Sequence, residues 1–133
     1  MKPIQEVYPN FDYKNYNIAA EYDSMLDSFG YDIVVKEDDD GYQGDSFVLF
    51  KNESSYGILV FGWGSCSGCD MLQMCRTYDE LSELQTRLFD SISWYSTLKE
   101  CQESMINEDS ELQWYGSSNG FIEFKKAVLA YEE

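Results

Sequence analysis

Apolar residues recur on one side from Asn17 onward, at Ile18, Tyr22, Met25, Leu26 and Phe29, with Glu21, Asp23 and Asp27 opposite. That spacing predicts an amphipathic helix, and Gly30 stands where a helix stop belongs. The period then drops to two. Tyr31, Ile33 and Val35 alternate with Asp32, Val34 and Lys36, the pattern of a strand. Asp38-Asp39-Asp40-Gly41 reads as a turn. Two further runs, 46–51 (SFVLFK) and 56–61 (YGILVF), are joined by Asn52-Glu53-Ser54-Ser55. Connections this short make hairpins, so the three runs are expected to form an antiparallel meander. The second and third runs are apolar on both faces, which calls for cover on both.

After a glycine-rich stretch, Gly62 to Asp70 (GWGSCSGCD), residues 70–76 are expected to open a helix. Thr77-x-x-Glu80 is a capping box followed by Leu81, Leu84, Leu88 and Ile92 on one face. A second box, Thr97-x-x-Glu100, precedes Leu98, Cys101 and Met105. Residues 112–115 read as a short extended piece, and Phe121, Phe124, Val128 and Tyr131 close the chain at helical spacing. The expected fold is α+β, a three-stranded antiparallel meander with about four flanking helices. Residues 1–14 read as an irregular N-terminal arm, with Tyr8, Phe11 and Tyr13 available to anchor it. Neither repeat nor linker divides the 133 residues, a length that suits one domain spanning 1–133.

Charge changes the picture most. The chain carries 25 acidic and 9 basic residues, no histidine, and a net charge of −16. Gripping a phosphate backbone requires Lys and Arg that release counterions, so direct nucleic-acid binding is not expected. Anionic membrane surfaces are disfavoured likewise. What such a surface attracts is a basic one, including proteins that themselves hold nucleic acid. The plainer reading is that acidity serves solubility alone. Two acid-only segments are the candidate partner-binding sites: Glu37, Asp38, Asp39, Asp40 and Asp45, then Glu100, Glu103, Glu108, Asp109 and Glu111. The first ten residues lack the apolar core of a signal peptide, and no run approaches the ~20 apolar residues of a membrane span. A cytoplasmic protein is therefore expected, and its four cysteines should be thiols or metal ligands rather than disulfides.

The GWGSCSGCD stretch admits several chemistries. Cys66-x2-Cys69 is half of a zinc site, which needs four ligands. Cys75 would be a third, but on a helix it lies about 240° around from Cys69. Cys101 aligns with Leu98 and Met105 as a small buried hydrophobe. The set is incomplete by spacing, so no cofactor is expected, with zinc on Cys66, Cys69 and Cys75 as the alternative. Residues 61–69 resemble the thioredoxin active-site region, a strand, a tryptophan and C-x-x-C opening a helix. The tryptophan, however, stands three residues before the first cysteine, and no proline follows Pro9. Gly62-x-Gly64 with Gly68 approximates a dinucleotide-binding turn without the parallel βαβ setting that turn requires. The simplest reading is a tight strand-to-helix corner in which glycines permit the turn and Trp63 and the cysteines pack inward.

Aligning Asp38-Asp39-Asp40-Gly41 as a calcium loop puts Lys36 at the first ligand position and Phe47 where a bidentate Glu belongs, so the alignment fails. There is no histidine base, G-x-S-x-G elbow or H-E-x-x-H, and no enzymatic activity is expected.

From Tyr42 to about Tyr95, the YQGD, YGILVFGWGSCSGCD and SISWY segments resemble a family of small, uncharacterised phage and bacterial proteins. The resemblance implies a phage-related origin, hence a host-cell cytoplasm as the setting. Small acidic phage proteins resemble inhibitors that imitate nucleic acid or block host-defence enzymes. The resulting expectation is a non-enzymatic acidic inhibitor docking on a basic, nucleic-acid-handling or defence protein. The alternatives are a C-x-x-C zinc or thiol-redox protein, or a binder sequestering a small nucleotide signal at Gly62–Gly68.

Overall fold

Thr77 and Thr97 each start a helix where the two capping boxes predict one. In the computed structural model, which describes residues 1–11, 22–40, 44–64, 70–107 and 119–133, Thr77 Oγ1 accepts the Glu80 N–H at 3.1 Å and Thr97 Oγ1 accepts the Glu100 N–H at 3.1 Å. The second box is reciprocal, with Ser96 N–H donating to Glu100 Oε2 at 3.2 Å. The elements run α1 (Ile4–Val7), α2 (Asp23–Asp27), β1 (Asp32–Asp38), β2 (Gly44–Asn52), β3 (Ser55–Trp63), α3 (Tyr78–Asp90), β4 (Ser93–Tyr95), α4 (Leu98–Asn107) and α5 (Asn119–Ala130). They fall into two compact units: Met1–Tyr31 with Trp63–Ser91, and Asp32–Gly62 with Ile92–Glu133.

The first unit is helical. Met25, Leu26 and Phe29 are buried, and Gly30 ends the segment at φ +86°, a conformation that favours glycine. The N-terminal arm is less irregular than expected, because Pro3 precedes a helical turn, α1, whose Ile4 is buried. Lys2 N–H donates to Ser28 O at 2.8 Å. The buried Gln85 of α3 donates to both Lys2 O and Ser28 Oγ. Tyr78 OH donates to Tyr8 O at 2.7 Å, and the Phe11 ring meets Tyr78 edge-on. Tyr13, with the rest of 12–21, lies outside the described residues. The helix expected from Asp70 does not form continuously. Residues 71–74 make one turn, and Thr77 then adopts extended backbone as the N-cap of α3 (φ −133°, ψ 160°).

The second unit holds an antiparallel sheet in the order β1-β2-β3-β4. The α+β class holds, but the meander has four strands rather than three, and five helices are described rather than about four. The added strand, β4, has three residues, too few for a period-two pattern. Its pairing depends on Gly57, opposite Trp94, where a Cβ would come within 2.5 Å of Ile92 Cγ2 and 2.9 Å of Trp94 Cε3. Phe47, Leu49, Tyr56 and Ile58 of the sheet form one core with Cys101 and Met105 of α4 and Phe121, Phe124 and Val128 of α5. Burying each Phe or Leu contributes about 1.5–3 kcal/mol. Val48 and Phe50, on the opposite face of β2, are buried as well, as the run's two-sided apolarity demands. Among the described residues no helix is long and apolar enough to cross a membrane. The expected extended piece at 112–115 lies outside them.

Candidate functional site

Strand alternation divides the first acidic segment. Glu37 pairs with Phe47, and Asp38 with Ser46, so their side chains leave opposite faces of the sheet. Asp38 is exposed. Its carboxylate lies 3.1 Å from Lys36 Nζ and accepts the hydroxyl of the buried Ser46. Asp40 is exposed, and Asp39 and Asp45 are half-buried.

Asp39 faces its own chain. Its carboxylate accepts Asp45 N–H and Gly120 N–H, each at 2.9 Å, while Asp39 N–H donates to Asp45 O at 2.9 Å. The side chain thus closes the β1–β2 connection and caps the N-terminus of α5, where a negative charge also meets the helix dipole favourably. Both flanking glycines are required by that approach. A Cβ at Gly44 would lie 2.6 Å from Asp39 Cβ, and one at Gly120 2.7 Å from Asp39 Oδ1. The Asp45 carboxyl is held above the usual carboxylate range, first by burial and then by the Asp39 charge.

In the second segment Glu100 and Glu103 are exposed on α4, and Glu100 closes the capping box described above. Glu108, Asp109 and Glu111 lie outside the described residues. Among the described residues, Asp39 and Glu100 accept one or more backbone N–H groups, and Asp38 accepts the Ser46 hydroxyl.

At the end of the glycine-rich stretch stands Asp70, which is 4% exposed. Its carboxylate accepts Gly64 N–H at 2.9 Å, Leu72 N–H at 2.9 Å, Gln73 N–H at 3.1 Å and Tyr22 OH at 2.9 Å. Burial, together with the neighbouring Asp70 charge, raises the Tyr22 phenol well above its ordinary range. Gly64 N–H, which an anion-binding turn would aim at a phosphate, is already donated to a carboxylate. Gly68 and the Cys66–Cys69 pair lie outside the described residues.

Cys75 is buried, with its Sγ 3.4 Å from Met71 O, and burial followed by the Glu80 charge pushes its thiol up to about 11. Burial pushes Cys101 up to about 12. Both thiols are protonated at neutral pH. Among the described residues no group of three or more His, Cys, Asp or Glu side chains is placed to hold a metal ion. Among the described residues the buried Trp63 indole N–H has no hydrogen-bond partner.

Sequence reasoning did not find the two clasps. Asp70 did carry a signal, an aspartate standing two and three residues before the N–H groups it accepts. Asp39 carried none, since Gly120 lies 81 positions away. No protein-family model, no curated protein and no solved structure matches the chain.

Proposed function

We propose that this chain is a non-enzymatic interaction protein, an acidic inhibitor that docks on a basic-surfaced protein of the nucleic-acid-handling or host-defence kind, in the cytoplasm. The observation that carries the reading is the charge imbalance. With 9 cations against 25 acids, the chain carries sixteen negative charges in excess of its own cations. A basic partner supplies that missing charge and steers the encounter. Within the described acids, the docking role falls to the exposed Asp38, Asp40 and Glu103, because Asp39 and Glu100 serve the fold, Glu37 is half-buried on the sheet face that carries Phe47, and Asp45 is half-buried beside Asp39. The split of Glu37 and Asp38 between opposite sheet faces counts against a continuous row like duplex DNA, which presents about one charge per 1.7 Å of axis.

The test is capture of partners from a candidate host lysate on immobilised protein across a salt series, with duplex DNA as competitor. The reading expects a basic protein retained at low salt, released as the Debye length falls from about 10 Å at 0.1 M to about 3 Å at 1 M, and displaced by DNA. Retention of acidic or neutral proteins alone, insensitive to salt, would contradict it.

A further inference from the structure

We draw no further inference here: the strongest candidate, the outer edge of β1 with its half-buried Ile33 beside the exposed Asp32 and Asp38, carries nothing, because nothing among the described residues shows what covers it.

Discussion

The β1–β2 connection and the Gly62–Asp70 corner each draw one aspartate inward, but they differ in what remains outside. At the corner, Asp70 takes three backbone N–H groups and a phenol, and its charge is enclosed. At the hairpin, Asp39 takes two N–H groups while Asp38 and Asp40 stay exposed. An acid count alone would rate the hairpin as one docking cluster and the corner as a site opposed to anions. The hydrogen bonds instead divide the hairpin into a structural acid and its exposed neighbours, and they give the corner a fully structural one.

That contrast can be broken at several points, the largest effect lying at the corner. Asp70→Ala leaves the N–H groups of Gly64 and Gln73 without their acceptor and Leu72 N–H with Tyr22 OH alone, and should cost roughly 3 kcal/mol, read as a lowered melting midpoint. Asp70→Asn, which keeps an acceptor oxygen, should recover part of the loss. Next comes thiol reactivity. Cys75 and Cys101 should alkylate about a hundredfold more slowly than a free thiol at pH 8, as followed by mass mapping of the native protein. Rapid labelling of either would show that its burial is not maintained.

At the hairpin, Asp39→Ala should cost about 2 kcal/mol through the lost α5 cap and the opened turn. Gly120→Ala should destabilise through the same contact, since the added Cβ meets Asp39. By contrast, Asp38→Asn with Asp40→Lys keeps an acceptor for Ser46. That pair should leave stability within about 1 kcal/mol, because the exposed Lys36–Asp38 ion pair contributes little. If Asp39→Ala proves neutral while the Asp38/Asp40 pair unfolds the protein, the division of the hairpin is wrong.

The smallest effect concerns Asp45. Its folded-state pKa is raised, so its ionised form opposes folding at neutral pH. That opposition fades as pH falls through the folded and then the unfolded pKa. Asp45→Asn should therefore stabilise at pH 7 by less than about 1 kcal/mol, and the advantage should vanish at the acid end of the carboxylate range. An equal advantage at both ends would assign the effect to something other than ionisation.

These contrasts also mark what the sequence could convey. Local signals were readable: the capping boxes at Thr77 and Thr97, the stop at Gly30, the period-two runs of β1 and the two-sided apolarity of β2. Each lies within a few residues of the backbone groups it controls. β4 was not readable, because three residues ending in Trp94-Tyr95 become a strand only where Gly57 leaves room for the indole. The Asp39–Gly120 and Asp70–Tyr22 contacts span 81 and 48 positions, and no periodicity reports a side chain reaching that far. The acidic segments were visible as charge. Which acids serve the fold depends on those long-range hydrogen bonds.

The central claim, that the hairpin's outer acids face a basic partner while Asp39 serves the fold, is tested most directly by isothermal titration. A basic nucleic-acid-binding protein would be titrated against the wild-type chain and the Asp38→Asn/Asp40→Lys variant at low salt. The account predicts about a tenfold loss of affinity in the variant, equivalent to about 1.4 kcal/mol, with an unchanged melting midpoint. Equal affinities for the two proteins would contradict it.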